Sequence, residues 1–168
     1  RVLFRSKYDN RLYWMREGNK LTGVLGAHVD DTATGGSGSK YQKSLAYLRQ
    51  RFPYRKWRLN EGEFCGAHYN QDTVTGAITM SQKAFSESLR PAHLPQSRKS
   101  DRRAQLDQKE VSILRGINGS LNWLSTQSRP DVAAQTSLSQ QCFPNPTVHN
   151  LLEANNVIRR AKQFSDLQ

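Results

Sequence analysis

The hydrophobic pattern changes its period once along the chain, and this change limits the possible folds more than any other feature. Apolar and polar residues alternate in segments before residue 82, as at 11–16, which is typical of β-strands. After residue 105 the apolar residues recur at helical spacing, at Val111, Leu114, Leu121 and Leu124. Strands followed by helices predict the α+β class: antiparallel hairpins packed on a helix, then a small three-helix unit.

The segment 91–105 separates the two patterns and is rich in Pro, Ser and Arg. Such a composition is typical of a linker. We therefore predict a strand-rich domain at 1–90, a linker at 91–106 and a helical domain at 107–168.

Two hairpins are predicted in the strand-rich part. The first has strands at 11–16 and 21–29, joined by a Gly-Asn turn. The second has strands at 64–69 and 77–81, and a short helix follows at 83–89. In the strand 21–29, alternation places Leu25, Ala27 and Val29 on one face, which we expect to be buried, and His28 with Asp30 on the other.

Capping signals mark the helices. Ser39 is predicted to cap a helix that ends before Pro53, with Tyr41, Leu45, Leu48 and Phe52 on one face. In the helical part, Asp107 and Glu110 match a capping box, Pro130 is expected in a first helical turn, and Thr147 is expected to cap a third helix. Trp123 is assigned to the core of the first of these three helices.

The chain is strongly basic, with 25 Lys and Arg against 14 Asp and Glu and a formal net charge of +11. Seven basic residues and no acidic one lie between Lys40 and Arg58. Such a field favours a polyanion, so we predict a nucleic-acid partner. The expected contacts are Lys40, Lys43, Arg55, Lys56 and Arg58, with Arg159 and Arg160 of the last helix. No apolar run approaches the ~20 residues of a membrane span, so no membrane partner is expected; a merely solvated basic face is the alternative interpretation.

Adjacent aspartates, Asp30 and Asp31, follow an apolar strand and precede a Thr- and Gly-rich segment. Two carboxylates this close repel each other unless a cation joins them. Magnesium binds one or two protein carboxylates and completes its shell with water and phosphate oxygens. The pair is therefore a candidate magnesium site; an EF-hand calcium loop is excluded, because 30–34 lacks its alternating oxygen ligands and its Glu.

Motifs over nearly the whole chain resemble the reverse transcriptase of copia-type long-terminal-repeat retrotransposons. His28-Val29-Asp30-Asp31 resembles the YVDD hairpin. Further likenesses, in order along the chain, are Phe64-Cys65-Gly66 with Gly76–Gln82 (FLG…G-x-I-x-L-S-Q), Gly119–Leu124 (G-S-L-x-Y-L), Ser128–Val132 (T-R-P-D-I), Asn145–His149 (NPT-x-x-H) and Arg159–Lys162 (R-x-L-K).

This resemblance implies the C-terminal palm and thumb of an RNA-directed DNA polymerase, within a Pol polyprotein that also carries fingers, RNase H and integrase. Asp30 and Asp31 would be catalytic metal ligands for Mg²⁺, and His28, in place of the family's Tyr, would contact the primer end together with Val29. The partners would be an RNA or DNA template-primer and a dNTP. A third metal-binding Asp is expected upstream of Arg1, so this portion alone is expected to be inactive.

Two alternatives stay open at this point. One is a non-catalytic, basic nucleic-acid-binding module that uses only the helix after Ser39 and the thumb. The other is a decayed retroelement relic. The catalytic interpretation requires metal, whereas the binding module does not.

Overall fold

The computed structural model describes residues 3–166 and divides into two compact units between Ala77 and Ile78. Two antiparallel sheets, with strand orders β1-β2-β3-β4 and β5-β6-β7, accompany six α-helices in the described chain, which confirms the predicted α+β class. The strands are β1 Phe4–Arg5, β2 Leu12–Glu17, β3 Lys20–His28, β4 Asp31–Gly36, β5 Glu61–Phe64, β6 Ala67–Gln71 and β7 Ile78–Ser81. The helices are α1 Ser39–Arg51, α2 Lys83–Ser88, α3 Gln96–Ser100, α4 Gln108–Gln127, α5 Ala133–Gln140 and α6 Val148–Gln163.

The first unit is a four-stranded sheet with α1 against one face. Met15 and Leu25 are buried on that face, and Leu45 and Leu48 of α1 line the same cleft. The predicted packing of the first hairpin on this helix is confirmed. Gly38, not Ser39, is the N-cap residue, and no side chain caps the helix.

The second predicted hairpin is divided differently from the prediction. The segment 64–69 is not one strand, because Cys65 and Gly66 form a tight turn between β5 and β6 with positive φ angles of 51° and 75°. A turn at 72–76 precedes the return strand, as the spacing of the two predicted strands requires. Its Asp72 carboxylate accepts hydrogen bonds from the backbone N–H groups of Val74 and Thr75, which lower the pKa of Asp72.

The second unit has one contiguous apolar core. Leu114, Leu121 and Leu124 of α4 pack with Leu151 and Ile158 of α6, and all are fully buried or nearly so. The predicted capping box is confirmed, since Glu110 N–H donates to Asp107 and Asp107 N–H donates to Glu110. Trp123 is 41% exposed, so its assignment to the core is wrong: it lies on the outer side of α4.

The three predicted helices of this unit begin near the expected residues. Pro130–Val132 forms a 3₁₀ turn that leads into α5. Thr147 is the N-cap residue of α6, and its backbone N–H and its hydroxyl both donate to the Asn150 side chain.

The predicted linker at 91–106 belongs to the second unit, so the boundary falls earlier in the structure than in the prediction. Leu94 is buried in the core, and residues 96–100 form α3. Asn155 holds the irregular backbone that precedes Leu94: its side-chain amide accepts from Ala92 N–H at 2.7 Å and donates to Ala92 C=O at 2.9 Å. Proline content signals irregular backbone here, but the segment is packed.

An ion pair between the buried Arg129 and the partly exposed Asp131, which was not predicted from the sequence, joins three parts of the helical unit. Arg129 is 2% exposed, and its guanidinium donates to both carboxylate oxygens of Asp131 at 2.7 and 2.8 Å. It also donates to the Ala161 carbonyl at 2.8 Å, which accepts a second bond from Ser86. The hydrogen bonds from Arg129 hold the pKa of Asp131 below its usual value.

Candidate functional site

The two aspartates lie at the tip of the β3–β4 hairpin. His28 at the end of β3 pairs with Asp31 at the start of β4, so Val29 and Asp30 form a two-residue loop. Loops of this length favour backbone angles that an L-residue rarely adopts, and glycine commonly supplies them. Here the first loop residue is Val29, with φ of 54°.

Val29 is therefore strained and exposed. A β-branched residue at positive φ is a genuine outlier, and such strain tends to occur at functional sites. The side chain is 81% exposed, so the expectation that it shares the buried face with Leu25 is wrong, because the strand ends before it. Leu25 is buried, as predicted, whereas Ala27 is only half-buried.

Because of this loop, Asp31 and not Asp30 lies beside His28. Asp30 lies outside the strand, so the predicted sharing of a strand face by His28 and Asp30 is wrong. Asp31 is the cross-strand partner of His28, and directly opposed residues in an antiparallel pair project to the same side of the sheet. Both carboxylates are exposed, and within residues 3–166 neither has an ion pair or a side-chain hydrogen bond.

The donor set suits a hard cation in part. Two adjacent carboxylates match the one or two protein ligands that magnesium takes alongside water and phosphate oxygens. Among the residues that the structure describes, no three His, Cys, Asp or Glu side chains form a metal-binding group. The hairpin therefore offers at most part of a coordination shell.

Two glycines that were not predicted from the sequence to be important allow α1 to pack closely behind this hairpin. A Cβ at Gly23 would lie 2.8 Å from the Tyr41 ring, and one at Gly36 would lie 2.6 Å from it. The ring of this α1 residue thus rests directly on β3 and β4. The Tyr41 hydroxyl is 3.1 Å from Thr34 Oγ1, which attaches α1 to β4. The signal available in the sequence was the consecutive pair Gly35-Gly36.

The predicted nucleic-acid contacts are all exposed side chains, and they lie in both units. Lys40 and Lys43 lie on α1, while Arg55, Lys56 and Arg58 follow it on irregular backbone. Arg58 is 3.8 Å from the Glu61 carboxylate, an exposed pair that contributes little to stability.

The remaining predicted contacts, Arg159 and Arg160, lie in the last turns of α6. Arg159 donates to the Asn156 side chain, and the Arg160 guanidinium lies 4.0 Å from Asp131. The role of all seven basic residues in nucleic-acid binding stays a prediction.

Comparisons of the chain with protein-family models, curated proteins and solved structures found no match. No helix within residues 3–166 is long and apolar enough to cross a membrane.

Proposed function

We propose that this chain is the C-terminal palm and the thumb of a copia-type reverse transcriptase, and that its β3–β4 hairpin supplies two carboxylates of a polymerase site. The observation that carries the proposal is the exposed pair Asp30 and Asp31 at a strained two-residue turn. The order of the further motifs along the chain supports the same family.

The uncompensated negative charge of Asp30 and Asp31 supports this proposal. The chain has a large excess of basic residues, yet neither carboxylate is neutralised by a cation within residues 3–166. Adjacent unneutralised carboxylates raise the energy of the free protein and favour binding of a divalent ion. A site that must take up a metal-bound nucleotide benefits from leaving these oxygens unpaired.

Geometry is the second supporting argument. The two-residue loop holds Asp30 at the tip, and Asp31 starts a strand whose backbone is paired with β3. Tyr41 supports the other end of both strands from behind. A rigid sheet thus carries the carboxylates, which suits a reaction that depends on positioning.

In this proposal Asp30 is the main metal ligand and Asp31 the weaker second one. Bound Mg²⁺ would activate the primer hydroxyl and neutralise charge on the departing pyrophosphate. His28, beside Asp31, is placed to donate a hydrogen bond to the primer end or to stack on it. A further upstream aspartate, the template-primer and the dNTP would complete the site.

Manganese titration of the isolated chain tests the metal site. Paramagnetic Mn²⁺ should broaden the backbone NMR signals of residues 28–32 selectively, with weak affinity, because two carboxylates leave most of the coordination shell to water. The double variant Asp30→Asn with Asp31→Asn should lose this broadening, and Asp9→Asn, another exposed aspartate of the same unit, should keep it. Broadening centred elsewhere would remove the basis for the site.

Primer extension tests catalysis. The chain alone should show none, whereas a reconstructed parent that contains the upstream aspartate should extend a primer. Asp30→Asn should abolish extension and leave nucleic-acid binding nearly intact, since the amide keeps the shape and loses the charge. Asp31→Asn should cost less. Full activity of Asp30→Asn would overturn the catalytic assignment.

A second candidate function is metal-independent nucleic-acid binding. The acid-free stretch from Thr32 to Asn60 favours it, because all seven Lys and Arg residues there add to one positive field. Steep loss of affinity with rising salt, in the presence of a metal chelator, is the expected signature.

A further inference from the structure

Three aromatic rings and one guanidinium form a cluster in the segment 49–58, which comprises the last turn of α1 and the residues that follow it. The Tyr54 and Trp57 rings meet edge to face with centroids 5.3 Å apart, and the Phe52 ring lies 6.5 Å from that of Tyr54. The Arg49 guanidinium carbon lies 4.9 Å from the Trp57 ring centroid, within cation–π range. The cluster therefore joins aromatic surface to positive charge.

Backbone and side-chain hydrogen bonds hold this segment in place although it has no regular structure after Arg51. Phe52 N–H donates to Leu48 C=O at 2.9 Å, which closes the last turn of α1. Tyr54 N–H donates to Phe52 C=O at 2.9 Å across Pro53, whose ring fixes φ. The Tyr54 hydroxyl donates to Thr32 Oγ1 at 3.4 Å, so the segment is attached to β4 one residue beyond Asp31.

One ring of the cluster is left open. Phe52 is 53% exposed, while Tyr54 and Trp57 are half-buried beneath their neighbours. Exposed basic residues precede and follow Phe52 along the chain, namely Arg51, Arg55 and Lys56. Because no acidic residue lies between Thr32 and Asn60, nothing within this stretch offsets their charge.

We propose that the segment 49–58 binds single-stranded nucleic acid, with an unpaired base stacked on Phe52 and the flanking phosphates on Arg51, Arg55 and Lys56. Base–aromatic stacking tolerates any base, and a basic surface follows the backbone. A duplex cannot use the ring in this way, because its base faces are covered by neighbouring base pairs. The proposal deepens the nucleic-acid-binding candidate and is independent of the carboxylate pair.

The test is binding of the full chain to a labelled 20-nucleotide oligo-dT and to a 20-base-pair duplex, both without divalent metal. Phe52→Leu should weaken oligo-dT binding by about tenfold or more, which corresponds to the loss of one stacked base, and should leave duplex binding unchanged. The slope of affinity against salt should not move, because no charge is removed. Tyr8→Leu, which removes another exposed ring of the same unit, is the matched control and should have no effect.

Substitution of the basic residues of the segment, unlike that of Phe52, should change the salt dependence of binding. Arg55→Gln with Lys56→Gln should lower the slope of log affinity against log salt by roughly 0.7 for each phosphate of a single strand that the variant no longer neutralises. Oligo-dT should quench tryptophan fluorescence in Trp123→Phe but not in Trp57→Phe. The proposal would be overturned if Phe52→Leu weakened oligo-dT binding and duplex binding equally. It would also be overturned if every variant bound heparin as tightly as oligo-dT.

These outcomes are distinguishable from failure of the catalytic proposal. Asp30→Asn and Asp31→Asn should not weaken oligo-dT binding under metal-free conditions, since neither residue belongs to the segment. Loss of primer extension when the same substitutions are made in the reconstructed parent, with oligo-dT binding by the chain intact, would support both proposals.

Discussion

The two units differ in how completely their hydrophobic surfaces are covered. The helical unit buries thirteen apolar side chains in one core, whereas only Met15, Leu25, Tyr41 and Ala67 are buried apolar residues in the described part of the strand-rich unit. The latter covers one sheet face with α1, and the other face carries the partly exposed Phe4–Trp14 stack, whose ring centroids are 4.8 Å apart. Stability in this protein is therefore concentrated in the helices, and the candidate chemistry in the less well covered sheet.

The largest expected effect concerns the ion pair inside the helical unit. Arg129→Met should lower its free energy of unfolding by about 3 kcal/mol, because Asp131 and the Ala161 carbonyl lose the hydrogen bonds from the buried guanidinium, although Asp131 is 26% exposed and lies 4.0 Å from Arg160. Urea denaturation followed by Trp123 fluorescence, in a background with Trp14→Phe and Trp57→Phe, measures this loss. Arg103→Met removes an exposed guanidinium and should change the value by less than about 0.5 kcal/mol. Equal losses in the two variants would show that the ion pair does not stabilise the unit.

A smaller effect is expected at Gly36, on which the Tyr41 ring packs directly. In Gly36→Ala the new methyl would lie 2.5 Å from Thr22 O and 2.8 Å from Gly23 Cα, which are backbone atoms that cannot move independently. We expect the strand-rich unit to lose about 2–3 kcal/mol, measured by urea denaturation with Trp14 as the only tryptophan.

Gly35→Ala is the matched control for that variant. No heavy atom lies within 4 Å of its added methyl, so a change below about 0.5 kcal/mol is expected. If the two variants were equally stable, the close packing of β3 and Tyr41 around Gly36 would not limit the stability of this unit.

The smallest effect is expected at the hairpin tip. Val29→Gly relieves a positive φ that costs a β-branched residue about 1 kcal/mol or more, while glycine loses part of this gain through backbone entropy. The strand-rich unit should gain about 0.5 kcal/mol, measured by the same denaturation. Val24→Gly, within β3 at ordinary φ, should instead destabilise it by about 1 kcal/mol. A loss in both variants would mean that Val29 is not strained.

The sequence predicted the elements of the helical unit well because local signals determine them. The capping boxes at Asp107 and Thr147 and the stripe along α4 need no long-range information. The domain boundary, by contrast, depends on long-range contacts. Leu94 and the backbone of Ala92 are fixed by α6, more than sixty residues away. Arg129 and Asp131 are two residues apart in sequence, yet the buried position of Arg129 also depends on its hydrogen bond to the distant carbonyl of Ala161.

At the candidate site, the sequence located the aspartates and the strand that precedes them. The sequence did not determine on which face of the sheet each side chain lies, because this depends on where the strand ends and the loop begins. A two-residue loop with a positive φ at Val29 moved Asp30 out of the strand and left His28 with Asp31 as its partner. Cys65 and Gly66 were misassigned for the same reason, since alternation continues through a tight turn.

The contact between Asn155 and Ala92 restricts substitution at position 155 more than at position 92. Asn155 recognises only the main chain of residue 92, so exchanging the side chain there for another small one keeps both hydrogen bonds. Proline is the exception, because it has no N–H to donate. Every replacement of Asn155 other than Gln, by contrast, lacks the amide donor or the amide acceptor, and Gln places both one methylene farther from its own backbone. Over long divergence, position 92 can therefore drift while position 155 cannot.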